Sequence, residues 1–435
     1  MKLGILNGIG GKVLSIDIDR IKAAESMGFD SVWTAEAYGA DAVTPAAWIL
    51  AQTDKIKVGT AIMQMPGRSP ACTAMTAMTL NQLSNGRFIV GLGASGPQVV
   101  EGWHGVAYGR PMTRTREYVD IMRKIFAREA PVEHEGFHYS LPYSGDDGTG
   151  LGKPLKSILQ ADDSIKIYTA SITPKGLETS AEVADGVFPI WVPPEKTGVL
   201  GEHIQKGLDK AGKTMMDYDV APFVTVIVGD NVDHCRMPIK GNMALYIGGM
   251  GARDKNFYND YAKALGYEDA AVKIQDLYLA GKKDEAMAAV PDELVDACHL
   301  VGPAERIKER LSRVGMAAVA GIDHRTVHLL RQQIGGAAIR MADDHRIGLH
   351  GVQGHRRVDQ GLALFDRRPF DRHIDDVRTQ PLSGQLERCL GAGRGLEEQI
   401  DLRPAPQASE FLFGPTIQVD IGVRQIEEGR DLVRR

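Results

Sequence analysis

The sequence predicts an α/β protein: a (β/α)8 TIM barrel with an insertion before its last unit and an atypical C-terminal tail. Short apolar or β-branched runs alternate with segments of helical periodicity along most of the chain. We count about eight such runs, most of them followed by a helix, and this alternation favours a parallel sheet. Eight units spread over roughly 250–320 residues match the size of a barrel. A doubly wound open sheet is the alternative.

The predicted elements follow in chain order. Strands are expected at residues 3–8, 29–37, 56–65, 87–95, 165–172, 186–192, 221–229 and 315–321. Helices are expected at 15–28, 45–53, 70–83, 114–129 and 303–315, and after the strands that end at 172 and 192. Ser15 is the predicted N-cap of the first helix and Gly28 its C-terminal stop, because these residue types suit those positions. Residues 230–300 carry further helical pattern and form the predicted insertion.

The composition is that of a soluble globular protein and argues against several functions. The net charge of −5 gives no electrostatic basis for binding nucleic acid or an anionic membrane. No apolar run approaches the ~18 residues of a membrane span, and the first residues lack the pattern of a signal peptide. The four cysteines lie far apart, which argues against a zinc site or a disulfide framework. We therefore expect a cytoplasmic protein that holds no metal and acts on a small-molecule substrate.

The last part of the chain differs in composition from the rest. Up to Lys308 there are 21 lysines and 11 arginines, whereas the residues from Glu309 onward contain 19 arginines and no lysine. This later stretch also lacks tyrosine and tryptophan but holds half of the histidines. We therefore place the barrel domain at residues 1–318. Residues 319–435 are interpreted as a frameshifted or read-through tail, which we expect to be poorly ordered.

A glycine-rich stretch ends the fourth predicted strand. The sequence GLGASG at 91–96 has the G-x-G-x-x-G spacing of a dinucleotide-binding turn. That turn opens a helix, but Gly102 and Gly105 interrupt the sequence that follows, so a Rossmann fold is not favoured. In a barrel the carboxyl ends of the strands form the active face. We therefore expect Gly91, Gly93 and Gly96 to let a cofactor ring or phosphate lie against bare backbone.

Five segments, taken in order, resemble the bacterial luciferase-like flavin monooxygenase superfamily. They are FDSVWTAEAYG (29–39), IKVGTAIMQMPGRSP (56–70), LSNGRFIVGLGASGP (83–97), RTREYVDIMRKIF (114–126) and AEVADGVFPI (181–190). Within the superfamily the chain looks most like the branch that uses the deazaflavin coenzyme F420. The resemblance runs over residues 3–316. It implies a (β/α)8 barrel with an insertion, a deazaflavin or flavin at the carboxyl-terminal mouth, and usually a homodimer.

The resemblance also implies cofactor-binding residues at the ends of four strands. Glu36 would lie beside the deazaflavin ring, and the segment Thr60, Ala61 and Ile62 would carry a non-proline cis peptide behind the ring. The loop Ala94, Ser95 and Gly96 would flank the ring. The loop Ala170, Ser171, Ile172 and Thr173 would bind the coenzyme phosphate at a helix N-terminus. Family dehydrogenases often have Asp-His where this chain has Glu36-Ala37, and Gly-Gly where it has Ile172-Thr173.

Glu36 and His104 are the candidate catalytic residues. Glu36 would polarise the ring edge or move a proton; the alternative is an acidic residue that stabilises the start of a helix. His104 would donate a proton to the substrate; the alternative is a hydrogen-bonded structural histidine. The expected activity is a coenzyme F420-dependent transfer of hydride between the deazaflavin and a small organic substrate. An FMN-dependent monooxygenase and a non-catalytic flavin-binding paralogue are the alternatives.

Overall fold

The computed structural model describes residues 2–8 and 13–318. The predicted tail, 319–435, lies outside the described residues. The strands are β1 Gly4–Asn7, β2 Ser31–Thr34, β3 Lys57–Thr60, β4 Met63–Gln64, β5 Phe88–Gly93, β6 His134–Glu135, β7 Ser140–Leu141, β8 Ile167–Ala170, β9 Gly186–Phe188, β10 Asp219–Val220, β11 Val226–Val228 and β12 Leu300–Gly302. The helices are α1 Ile18–Ser26, α2 Val43–Leu50, α3 Pro70–Leu83, α4 Pro97–Gly102, α5 Pro111–Ala127, α6 Pro174–Val183, α7 Gly198–Ala211, α8 Val232–Gly249, α9 Phe257–Ala264, α10 Glu268–Leu279, α11 Lys283–Ala288, α12 Asp292–Cys298 and α13 Ala304–Ala318.

The parallel strands follow one another in the sheet as they do in the chain. The order is β1-β2-β3-β5-β8-β9-β10, with β4 also paired to β5, while β11 pairs in parallel with β12. A doubly wound sheet would instead reverse its strand order near the middle. The predicted barrel-type order is therefore confirmed and the doubly wound alternative is excluded. Within the described part of the chain, no pairing of β12 with β1 is seen.

Aromatic contacts show that the sheet curls into a barrel. Trp33 lies on β2 and Phe188 on β9, and β3, β5 and β8 separate these two strands in the sheet. Their ring centroids are nevertheless only 4.9 Å apart. Together with Leu6, Ile89 and Tyr168 they form one buried cluster, which fills the barrel interior as side chains do in this fold. A ligand must therefore bind above this cluster, at the carboxyl ends of the strands.

The last strand lies earlier in the chain than predicted. Leu300, Val301 and Gly302 are buried and pair with β11, whereas residues 315–318 of the predicted strand belong to α13. The true strand has only three residues and falls at the end of the predicted insertion. Short apolar runs rich in alanine and methionine suit a helix as well as a strand, so periodicity alone assigned residues 315–318 wrongly, while 319–321 lie outside the described residues.

Two local predictions also need correction. The N-cap of α1 is Asp17, whose carboxylate accepts a hydrogen bond from the Arg20 amide, and not Ser15. Gly91 lies inside β5, and a Cβ there would come well under 3.0 Å from the carbonyl oxygen of Thr60. It is therefore a glycine because β3 and β5 pack closely, and not because a cofactor lies against it.

Candidate active site

A small cleft lies at the carboxyl ends of β5 and β8, which we call the β5–β8 cleft. Its walls come from the ends of these strands and from the first two turns of α5 and α6, and they include Ala94, Thr115, Ala170, Ser171, Gly176 and Thr179. Three of the predicted cofactor-binding residues, Ala94, Ala170 and Ser171, thus lie together. None of the side chains that line the cleft is charged. An anion bound here would be recognised by hydroxyl groups and backbone amides.

The N-terminus of α6 is built around Gly176. The hydroxyl of Thr173 accepts a hydrogen bond from the Gly176 amide at 3.2 Å and so caps the helix. A Cβ at position 176 would come well under 3.0 Å from the Ser171 hydroxyl, so glycine lets both hydroxyls approach the helix start. Amides at a helix N-terminus attract anions. Ile172 differs from its neighbours because its buried side chain packs in a hydrophobic cluster beneath the loop.

Sequence reasoning missed Thr179, which lines the same cleft from α6. Thr179 is 1% exposed, and its hydroxyl oxygen has no hydrogen-bond partner among the described residues. A buried hydroxyl without a partner costs free energy in the empty protein, so its presence at a cleft points to a ligand. The spacing of the sequence could have indicated Thr179 as a residue of the cleft, because residues three apart on a helix, such as Gly176 and Thr179, face the same side.

Thr60, Ala61 and Ile62 do not all face the mouth. The Thr60 hydroxyl is fully buried. It donates a hydrogen bond to the Gly91 carbonyl and accepts one from the Gly91 amide, at 2.9 Å each. Its side chain therefore joins β3 to β5 and is not available to a cofactor. Ala61 and Ile62 are half-buried and lie on the interior aromatic cluster. The peptide bond between them is cis, as the family resemblance implies.

The loop after β5 turns sharply. Ser95 has a φ of 60°, which is uncommon for a residue other than glycine, asparagine or aspartate. Gly96 follows as the N-cap of α4, and a Cβ there would meet only the Gln98 side chain. Ser95 and Gly96 are both half-buried at the end of the strand, and their contact with a bound ring stays a prediction. Such unusual backbone conformations cluster at functional sites.

The Glu36 carboxylate is buried and fully engaged. One carboxylate oxygen accepts hydrogen bonds from the backbone amide of Gln64 at 2.9 Å and from the Arg68 guanidinium at 2.7 Å. The other oxygen accepts from the backbone amide of Ala42 at 3.0 Å. Only 8% of the Glu36 side chain and 19% of the Arg68 side chain are exposed. Burial of the Arg68 guanidinium lowers the pKa of Arg68, but the hydrogen bond to Glu36 and the negative charge of Glu36 outweigh this effect and raise the pKa above its ordinary value. Glu36 thereby ties the loop after β2 to β4 and to the start of α2.

His104 is connected to Glu36 through Gln64. The ring Nε2 of His104 lies 2.6 Å from the side-chain oxygen of Gln64. The side-chain nitrogen of Gln64 donates a hydrogen bond to the backbone carbonyl of Glu36 at 3.4 Å. Because Gln64 donates through its nitrogen, its oxygen must accept, so Nε2 of His104 carries the hydrogen. The structure therefore brings the two predicted catalytic residues into one network. Gln64 and Arg68 were not predicted as members of it.

Two pairs of aromatic side chains near the strand ends were not predicted, one exposed and one largely buried. Tyr38 and Trp103 are both exposed, with ring centroids 6.2 Å apart. Tyr246 of α8 and Tyr258 of α9 contact each other at 4.6 Å between centroids. Burial, chiefly, raises the pKa of both Tyr246 and Tyr258, so their hydroxyls stay protonated at neutral pH. The exposed pair, Tyr38 and Trp103, offers an aromatic surface, whereas Tyr246 and Tyr258 belong to a hydrophobic core cluster.

The described part of the chain has neither a metal-binding cluster nor a membrane-spanning helix. No group of three or more histidine, cysteine, aspartate or glutamate side chains there could hold a metal ion. None of the helices described combines the length and apolar character that crossing a bilayer would require. The candidate site is the mouth of the barrel, with the β5–β8 cleft on one side and the Glu36 network on the other.

Comparison with known proteins gives a consistent picture. The family model for luciferase-like monooxygenases matches residues 10–320. A Mycobacterium tuberculosis protein named as a coenzyme F420-dependent oxidoreductase is 41% identical, over 72% of this chain and 91% of its own length. A 5,10-methylenetetrahydromethanopterin reductase of Archaeoglobus fulgidus is 29% identical over 69% of this chain and 86% of its own length.

A solved structure shows the same fold. The coenzyme F420-dependent tetrahydromethanopterin reductase of Methanopyrus kandleri aligns with a TM-score of 0.59 at 21% identity, covering 78% of this chain and 99% of that one. The extent of the family match and the identity to the mycobacterial relative establish common ancestry over the barrel. The chain therefore belongs to the luciferase-like monooxygenase family.

Proposed function

We propose that this protein is a coenzyme F420-dependent oxidoreductase that transfers a hydride between the deazaflavin and a small organic substrate. The observation that carries the proposal is the β5–β8 cleft with the buried, unpartnered Thr179 hydroxyl beside the N-terminus of α6. The similarity to a mycobacterial protein named for the same coenzyme supports it. We further propose that the protein works as a homodimer in the cytoplasm.

The residues at the mouth fit such a coenzyme. Its phosphate would be held by the α6 N-terminus with Ser171, Thr173 and Thr179, whose hydroxyls and amides replace the absent Gly-Gly pair. Its ring would lie against Ala61–Ile62 and the loop at 94–96, where side chains are small or half-buried. When bound, the deazaflavin would supply the hydride-carrying ring that no amino-acid side chain offers.

Glu36 and His104 take different roles in this proposal. The Glu36 carboxylate already accepts three hydrogen bonds, so we infer that it fixes the ring-side segment 61–65 and does not move a proton. In the neutral ring of His104, Nε2 is the donor to Gln64, and Nδ1 is left as the nitrogen that can accept a proton. Exchange of a proton with the substrate is therefore assigned to His104.

A coenzyme titration tests the proposal directly. Purified full-length protein is titrated into coenzyme F420 and, separately, into FMN, while the fluorescence of each ring is followed. We expect saturable quenching of F420 with a Kd in the micromolar range and at least tenfold weaker binding of FMN. Tight FMN binding with oxygen consumption would instead indicate the monooxygenase alternative. F420 binding without turnover of a panel of alcohols, aldehydes and enones would indicate the non-catalytic paralogue.

The change Thr179→Val should weaken coenzyme binding without destabilising the empty protein. Valine has the shape of threonine, and the hydroxyl it removes has no partner in the protein. We expect the free energy of unfolding to stay equal or rise by about 1 kcal/mol, while the F420 Kd rises roughly tenfold, since one hydrogen bond to a charged group is worth ~1.5 kcal/mol or more.

The matched control is Thr115→Val on the opposite wall of the cleft. Thr115 is also buried, but its hydroxyl already donates to the Pro111 carbonyl at 2.9 Å. This variant should lose a few tenths to ~1 kcal/mol of stability and keep its affinity for F420. Equal affinities of the Thr179→Val variant and the unchanged protein would remove Thr179 from the phosphate site.

A further inference from the structure

A second cleft lies between α12, α13 and the start of β12, and we call it the α12–α13 cleft. Its volume is about 500 Å³, which is within the range of sites that bind small molecules. The most buried polar residue in its walls is His299, which immediately precedes β12. His299 therefore lies at the amino end of this strand, whereas the candidate active site is at the carboxyl ends.

The ring of His299 carries a hydrogen-bond donor that has no partner in the described part of the chain. Only 4% of His299 is exposed, and its Nδ1 accepts a hydrogen bond from the backbone amide of Thr225 at 3.3 Å. Burial lowers the pKa of His299 to about 4, so the ring is neutral at pH 7 and its single hydrogen is on Nε2. Nε2 is buried and unpartnered. Such a donor in the wall of a cleft points to a ligand that supplies an acceptor.

The lining of the cleft is acidic. Arg306 pairs with Asp296 at 2.7 Å and Arg310 with Glu195 at 3.0 Å, whereas Glu293 forms no ion pair with any described residue. The walls carry four carboxylates and two guanidinium groups, a net charge of −2, from Glu195, Glu293, Asp296, Glu309, Arg306 and Arg310. This charge repels an anion and attracts a cation.

We infer that the α12–α13 cleft binds a small organic cation that also carries a carbonyl or hydroxyl oxygen. The oxygen would accept a hydrogen bond from Nε2 of His299, and the ammonium group would lie against Glu293. The aliphatic part of the ligand would contact the apolar residues of the walls, which are Ala297, Val301 and Ile307. The site goes beyond the proposed function, because no residue of the β5–β8 cleft or of the Glu36 network lines it.

The positions of Glu293 and His299 limit the length of the ligand. Glu293 lies in the first turn of α12 and His299 ends this helix six positions later, so the two residues are about 9 Å apart along its axis. An extended chain of five methylene groups between an ammonium and an amide group has a similar length. The same His299 ring holds Thr225, just before β11, through its Nδ1. A ligand bound to Nε2 is therefore expected to stabilise the pairing of β11 with β12.

A titration of the full-length protein without coenzyme, followed by ligand-observed NMR at pH 7, tests the inference. Four probes share one chain: 6-aminohexanamide has both groups, hexylamine only the cation, hexanamide only the carbonyl, and hexanoate a negative charge. We expect 6-aminohexanamide to bind with a Kd of about 1 mM or lower, which ligand efficiency permits for a molecule of its size. Each of the other probes should bind at least tenfold more weakly.

Two substitutions assign the binding to the named residues. His299→Asn keeps an acceptor for the Thr225 amide but removes the donor at Nε2, and Glu293→Gln removes an exposed charge without affecting the core. Each should raise the Kd of 6-aminohexanamide at least tenfold. The matched control is Glu305→Gln, because Glu305 is an exposed carboxylate of α13 that does not line the cleft, and this variant should keep the affinity.

The inference is overturned by any of three results. These are the absence of 6-aminohexanamide binding at ten times the expected Kd, binding of hexylamine, hexanamide or hexanoate as tight as that of 6-aminohexanamide, and unchanged affinity in either the His299→Asn or the Glu293→Gln variant. If His299→Asn fails to fold, the Glu293→Gln variant and the four probes still decide. Because coenzyme is absent throughout, the outcome is independent of the F420 titration described above.

Discussion

The change Gly91→Ala is expected to destabilise the barrel by about 3 kcal/mol or more. The added methyl group would come well under 3.0 Å from the carbonyl oxygen of Thr60 and 2.9 Å from the ring of Phe188. The first of these atoms belongs to the backbone of β3, which cannot move without breaking the two hydrogen bonds between Thr60 and Gly91. Urea unfolding followed by circular dichroism measures the loss, and the slope of the transition shows whether unfolding stays cooperative.

The control for this variant is Gly201→Ala in α7. No heavy atom lies within 4 Å of a Cβ at position 201, so the substitution meets no clash. Alanine favours a helix over glycine by up to ~1 kcal/mol, and this variant should therefore be as stable as the unchanged protein or more so. A Gly91→Ala protein that unfolds at the same urea concentration as the unchanged protein would show that β3 and β5 are not in the contact described.

The general fold could be predicted from the sequence because it depends on repeated local patterns. Alternation of apolar runs with helical periodicity is set by which side chains must be buried, and seven of the eight predicted strands coincide with observed ones. The eighth failed because β12 has three residues, too few for periodicity to distinguish a strand from the end of a helix. Its pairing with β11 is a contact between distant parts of the chain.

The candidate site was predictable only in its position. Strand ends placed Ala94, Ser95 and Ser171 at the mouth, since the carboxyl ends of parallel strands meet there. Whether a polar side chain is free or already bonded cannot be read from residue type. The Thr60 hydroxyl is used within the sheet, whereas the Thr179 hydroxyl has no partner in the described part of the chain.

The change Glu36→Gln is expected to have the largest effect on the site. Glutamine keeps the size of the side chain but leaves the Arg68 guanidinium, 19% exposed, without its buried counter-charge. Breaking one side of a buried ion pair costs about 3 kcal/mol, and the amide group cannot accept from Gln64, Arg68 and Ala42 as the carboxylate does. The free energy of unfolding should fall by that amount, and binding of F420 should weaken because the segment 61–65 is no longer held.

A double-substitution cycle separates this role from acid–base catalysis. If Glu36 holds the segment through Arg68, then Arg68→Gln should lose a similar amount, and the double variant should lose much less than the sum. The control Glu305→Gln removes a carboxylate that pairs with Lys308 in an 83% exposed position and should cost under about 1 kcal/mol. A Glu36→Gln protein of unchanged stability and F420 affinity, but with kcat/KM reduced and its pH dependence altered, would return Glu36 to the role of proton carrier. The ion pair predicts the opposite result: affinity and stability fall together, while the shape of the pH profile of kcat/KM stays unchanged.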